Sequence, residues 1–253
     1  MKKPLIVGIN KVLIATFTAV FMAALINSAY AAAPAIFSSL TPGQALPKEF
    51  RVISVPKIAA NQFSLVSDEG RTVLRVDSNK SAGSLGLPLT TSATSTTQLE
   101  WRWKISRVIE SADMNTKAGD DFAARVYVFF DVPMDALSFA DRTKLRLARM
   151  MAGPDVPTAA LCYVWDNNHR VGRAQWSPYS NRARVIVLQS GAAQVGSWIA
   201  QSRDIAADFR EAFGFDAPAV TGVAVGNDTD NTGERVTTWY GDVTLKGAGL
   251  NNK

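Results

Sequence analysis

The segment QLEWRWKI, Gln98 to Ile105, alternates without a break: Leu99, Trp101, Trp103 and Ile105 fall on one side, Glu100, Arg102 and Lys104 on the other. A period of two belongs to a strand with one buried and one solvated face. The pattern recurs along the chain. FSLVSDEGRTVLRVDS, Phe63 to Ser78, alternates on both sides of Asp68-Glu69-Gly70, which reads as a hairpin with glycine in its turn. FAARVYVFFD, from Phe122, is apolar on both faces, as a strand inside a sheet-on-sheet core is. AALCYVWD, RARVIVLQSG, AVTGVAVGND and RVTTWYGDVTL continue the series. Many short strands separated by turns, with no strand–helix–strand repeat, predict a mainly β chain. The expected architecture is one antiparallel, jelly-roll-like β-sandwich domain.

Two short helices interrupt the strands. Ser138 and Asp141 have capping-box spacing ahead of Leu145, Leu147, Ala148, Met150 and Met151. Arg142, Arg146 and Arg149 align on one face of that helix, a solvated stripe or one that meets anionic headgroups. In DIAADFREAFG, Asp204 is the cap, Ile205, Phe209 and Phe213 share a face, and Gly214 is the stop. LTTSATSTTQ, from Leu89, is a polar loop between strands, and the tail KGAGLNNK is expected to fray.

The first 31 residues read as a cleaved signal peptide. Lys2, Lys3 and Lys11 precede the apolar run VLIATFTAVFMAALI, and Ala29-Tyr30-Ala31 supplies the cleavage pattern. The run falls short of the ~20 residues a membrane span needs. Export to the periplasm or beyond the cell follows, with residues 32–253 forming the sandwich domain. Its only cysteine, Cys162, rules out an intramolecular disulfide and, lying well past the cleavage site, a lipid anchor there. Loss of three lysines leaves a net charge of +2, near enough to balance to argue against broad electrostatic binding of nucleic acid. No membrane insertion is expected after cleavage.

LEWRWKI, GDDFAARVYVFF, LCYVWD, DIAADFREAFG and NDTDNTGE followed by WYGDVTL, in that order, resemble a bacterial domain-of-unknown-function family of exported proteins, DUF 3047. The resemblance extends from about Phe50 to Leu245. It implies a jelly-roll sandwich and no particular activity. The ending WYGDVTL is similar to the last strand of many carbohydrate-binding modules, which implies a carbohydrate-binding-like build.

Residue chemistry narrows the roles. His169 is the only histidine, so His-rich zinc ligation is excluded, and no Gly-x-Ser-x-Gly elbow occurs. Carboxylates remain. Asp120 and Asp121 open a core strand and should point to opposite sides of it; with Asp166 they are the catalytic set if the chain cleaves glycans. Asp228, Asp230, Thr232 and Gly233 match positions one, three, five and six of a calcium loop. Position twelve is Trp239, which excludes an EF-hand. Asp228, Asp230 and Thr232 are left as a structural calcium site of the sandwich, or as a hairpin tip bonded to its own backbone.

For ligand binding, Trp176 and Tyr179 in the loop-like RAQWSPYS are the stacking candidates, with Trp165 and Arg125 beside them. Continued alternation puts Trp239 with Val243 and Leu245 in the core, and Tyr240 with Asp242 outside. The leading role is non-catalytic binding of a glycan or cell-envelope component. A carboxylate-based glycan-cleaving enzyme and a structural protein docking to an envelope partner are the alternatives.

Overall fold

The computed structural model describes residues 36–87, 98–152 and 156–246. The signal-peptide reading of residues 1–31, the polar loop over 88–97 and the tail over 247–253 lie outside the described residues. The strands are β1 (Arg51–Ser54), β2 (Ala59–Ala60), β3 (Gln62–Asp68), β4 (Arg71–Asn79), β5 (Ser81–Leu87), β6 (Gln98–Ile105) and β7 (Ala124–Phe130). They continue as β8 (Ala159–Asp166), β9 (Ala174–Ser177), β10 (Ser180–Ser190), β11 (Ile199–Asp204), β12 (Val220–Asp228), β13 (Arg235–Tyr240) and β14 (Thr244–Lys246). Helices α1 (Phe139–Ala152) and α2 (Ile205–Phe213) match the two expected.

One sheet has the order β1-β5-β12-β7-β8-β10-β9, with β2 beside β5; the other runs β11-β6-β13-β4-β3, with β14 beside β6. This is a jelly-roll-like β-sandwich. The pairing is antiparallel except for β10 on β8 and β2 on β5, which are parallel. The two sheets meet through aromatic rings. Trp101 and Trp103 of β6 face Tyr163 and Trp165 of β8, with centroids 5.5 and 6.2 Å apart. Rings of this size each remove roughly 150–250 Å² from water, on the order of 4–6 kcal/mol per ring before entropy is counted.

Local chemistry fixes the punctuation. Glu69 and Gly70 both have positive φ, 50° and 75°, and form the two-residue turn between paired Asp68 and Arg71. Ser138 Oγ accepts from Asp141 N at 3.1 Å and donates to its carboxylate at 2.9 Å, which caps the N-terminus of α1. Asp204 caps α2 by accepting from Ala206 and Ala207 N. Asp208 then accepts from Tyr163 Oη at 2.6 Å and pairs with Arg203, which ties α2 to the core. The arginine stripe of α1 is only partly solvated: Arg146 is exposed, while Arg149 reaches Asp131 and the Val156 carbonyl. Cys162 is buried as expected, and burial pushes its thiol up to about 12.

The last two strands depart from the sequence reading. Tyr240 pairs with Trp103 and Thr244 with Glu100, so four steps along the C-terminal segment cover three along β6. The extra residue at Gly241–Val243 inverts the alternation, as a bulge does. Tyr240 is therefore buried, its hydroxyl donating to the Gly226 carbonyl at 2.6 Å, and Trp239 turns outward to half-exposure. The core position expected for Trp239 belongs to its neighbour.

Candidate functional site

The outer side of the six-stranded sheet carries an aromatic and cationic row. Trp198 immediately precedes β11, Arg102 and Lys104 project from β6, Trp239 from β13 and Arg75 from β4. Their order is set by register: Lys104 pairs with Trp239, and Trp239 with Arg75. Arg102 Cζ lies 4.3 Å from the Trp198 ring centre. Lys104 Nζ stands between the two indoles, 5.1 Å from Trp198 and 4.9 Å from Trp239, and pairs with Asp68 at the β3–β4 turn. Arg75 reaches Trp239 at 6.0 Å and holds Asp77 at 2.9 Å. Arg102 has no carboxylate partner among the described residues. Its stem crosses Gly241, where a Cβ would come within 2.5 Å of Arg102 Cγ. Glycine there is what lets the guanidinium lie down on Trp198. Both tryptophans are half-buried, so each ring is held in place and still meets solvent.

The stacking residues expected from the sequence are not gathered in one place. Trp176 is on β9, packed edge-on to Phe213 of α2 at 5.3 Å, with Arg184 5.1 Å from its ring. Tyr179 donates to the Lys117 carbonyl at 2.8 Å and to Asn231 Oδ1 at 3.2 Å. Each is half-buried, and their partners belong to different corners of the sandwich. Trp165 is 0% exposed, because alternation along β8 turns it inward with Leu161 and Tyr163. Arg125 is 6% exposed and committed to an internal ion pair. Neither can meet a ligand at the surface.

Arg125 organises an acidic corner where β7 begins and β12 ends. Its Nε donates to Asp228 Oδ1 at 2.8 Å, its Nη1 to Tyr127 Oη at 2.9 Å, and its Nη2 to the Asp120 carbonyl and the second Asp228 oxygen. The Phe122 ring lies 4.5 Å beneath it, and Phe122 N donates to Asp228 at 2.9 Å. Asp121 is 0% exposed; Asn231 N and Nδ2 donate to one oxygen, Thr232 N and Oγ1 to the other at 2.7 Å each. One oxygen each from Asp121, Asp228 and Asp230 lie within 4.8 Å of one another. Thr232, expected as a ligand with Asp228 and Asp230, donates to Asp121, and Asp121 joins Asp228 and Asp230 in the cluster.

Burial drives the electrostatics here. It pushes Asp228 well above the usual carboxylate range against the pull of Arg125, and raises Asp120 to about 6. Asp230 is raised by burial and by Asp121. Burial works to lower Arg125, but Asp228, then Tyr127 and Asp120, hold it well above the ordinary arginine value.

The catalytic set expected of a glycan-cleaving enzyme is not supported by this geometry. Asp120 and Asp121 precede β7 rather than opening it, and at 4% and 0% exposure both are turned inward. Asp166 is 2% exposed; its Oδ1 accepts from Asn168 N, His169 N and His169 Nδ1 and so closes a turn after β8. The other nitrogen of His169 faces Asn115 Nδ2 at 3.2 Å, so this histidine is a fastening of the loop. Two carboxylates cannot work across a glycosidic bond from the interior.

Fold and geometry define a jelly-roll-like β-sandwich with an aromatic sheet face and a buried acidic corner. The chain belongs to the family described as Protein of unknown function (DUF3047), whose model matches residues 48–244. No curated protein matches it. Among solved structures it is similar to the cellulose induced protein Cip1, at 13% identity and a TM-score of 0.35, covering 79% of this chain and 94% of that one. It is similar to the xyloglucanase domain of NopAA, a type three effector from Sinorhizobium fredii in complex with cellobiose, at 10% identity and a TM-score of 0.40. That match covers 81% of this chain and 97% of the other. The family 11 xylanase from Neocallimastix patriciarum is similar at 9% identity and a TM-score of 0.34, over 83% and 97% of the two chains.

Proposed function

We propose that this protein is exported to the periplasm or beyond the cell and there binds a glycan or other cell-envelope component without catalysis, through the outer side of its six-stranded sheet. The observation that carries the reading is the half-exposed pair Trp198 and Trp239 held on either side of Lys104, with the guanidinium of Arg102 uncommitted to any described carboxylate. Indole faces and edges suit the C–H surfaces of sugar rings, and the uncommitted guanidinium of Arg102 beside them suits a carboxylate or phosphate group on the same polymer. Export rests on the basic, apolar and small-residue order of residues 1–31. Among the described residues no helix is long and apolar enough to cross a membrane.

Native electrophoresis through gels containing a soluble polyuronate, a neutral β-glucan or dextran sulfate as a charge-only control tests the reading. Retardation by the polyuronate beyond that by dextran sulfate is expected, and the Trp198→Ala/Trp239→Ala double variant should run as in a ligand-free gel. Retardation kept by the double variant, or none in any polysaccharide, would overturn it.

A further inference from the structure

We propose that the acidic corner is a binding site for a hard divalent cation of the calcium type, held by Asp121, Asp228 and Asp230 with Asp120 beside them. Calcium sits 2.3–2.6 Å from its oxygen ligands, so oxygens on opposite sides of one ion are roughly 5 Å apart. Three carboxylate oxygens within 4.8 Å of one another therefore fit around a single ion. The donor set is all oxygen, which selects calcium or magnesium over zinc or copper.

A second observation points to a missing partner. Asp120 is 4% exposed, its Oδ2 lies 3.7 Å from the Arg125 Nη2 that also holds Asp228, and its Oδ1 has no hydrogen-bond partner. A buried carboxylate oxygen left without a donor is costly, and here it belongs to a group already rich in negative charge. With all four carboxyls of Asp120, Asp121, Asp228 and Asp230 ionised, the ion pairs of the corner would offer only one guanidinium, Arg125, against four negative charges. A divalent ion would cut the excess negative charge from three to one. Asp230 is half-buried at the rim and gives the ion a way in from solvent.

Such an ion would join three segments distant in sequence: Asp120–Asp121 before β7, Asp228 at the end of β12, and Asp230 in the loop beyond. The site is separate from the aromatic face, so binding of a glycan and binding of an ion stand or fall independently.

The test uses the exported protein, stripped with a chelator and melted in metal-free buffer, in millimolar calcium and in millimolar magnesium. A native-state ion must raise the melting midpoint, and calcium should do so by several degrees. Asp230→Asn leaves the Arg125 pairs intact, so it should melt like the wild type in chelator and lose at least tenfold in calcium affinity by calorimetric titration. A midpoint that neither calcium nor magnesium moves, or an Asp230→Asn variant that binds calcium as tightly as the wild type, would each overturn the proposal.

Discussion

On the outer side of the six-stranded sheet, cations rest against indole rings within reach of water; where β7 begins, carboxylates crowd one guanidinium out of water's reach. The chemical groups are alike, and the surroundings give them different work. Arg102 is half-exposed and has no described carboxylate partner, so its contact contributes little to stability and stays available to a ligand, while Arg75 and Lys104 are held by Asp77 and Asp68. At the corner, Arg125 is 6% exposed and Asp228 7%, and removing Arg125 leaves Asp228 buried without its counter-charge. One region is suited to exchange partners and the other to hold the sandwich together.

The largest effect separating them is expected at Arg125. Arg125→Met should lower unfolding stability by about 3–5 kcal/mol, the range for breaking a buried ion pair from one side. A urea midpoint close to wild type would show that the corner does not depend on this guanidinium. A smaller loss is expected at Tyr240, whose hydroxyl donates to Gly226 O and accepts from Arg125 N at 3.0 Å. Tyr240→Phe leaves both groups short of a partner, which costs roughly 1–3 kcal/mol. No loss would mean that Tyr240 is not the inward residue and that the inverted phase of β13 is wrong. The smallest stability change is expected on the sheet face. Gly241→Ala should shift the Arg102 stem off its path and move the fluorescence of Trp198 while altering the urea midpoint by less than about 1 kcal/mol. An unchanged emission spectrum would argue against the Arg102–Trp198 contact.

Much of the architecture can be read in the residues themselves. The alternation of Gln98–Ile105, the Glu69-Gly70 turn, the Ser138 and Asp204 caps and the burial of Cys162 are local properties, and the fold keeps them. Order within a sheet is not local. Nothing in AALCYVWD or RARVIVLQSG marks β8 and β10 as parallel neighbours. Trp239 lies outside the core because one extra residue near Gly241 reverses the alternation, and a bulge has no fixed residue signature. The acidic corner was half legible. Asp228-x-Asp230 stands out in the sequence, but Asp121 reaches the same loop from 110 residues away, through Asn231. Trp165 could have been assigned to the interior, since it shares a face with Leu161 and Tyr163; Trp198 carries no local signal beyond its place before a strand.

The division of labour is tested most directly by running wild type, Trp198→Ala/Trp239→Ala and Asp230→Asn side by side in the same polyuronate gels, each first shown to be folded by circular dichroism. The account predicts that the tryptophan variant alone loses its retardation. Retardation lost in Asp230→Asn and kept in the tryptophan variant would contradict it and move the ligand site to the acidic corner.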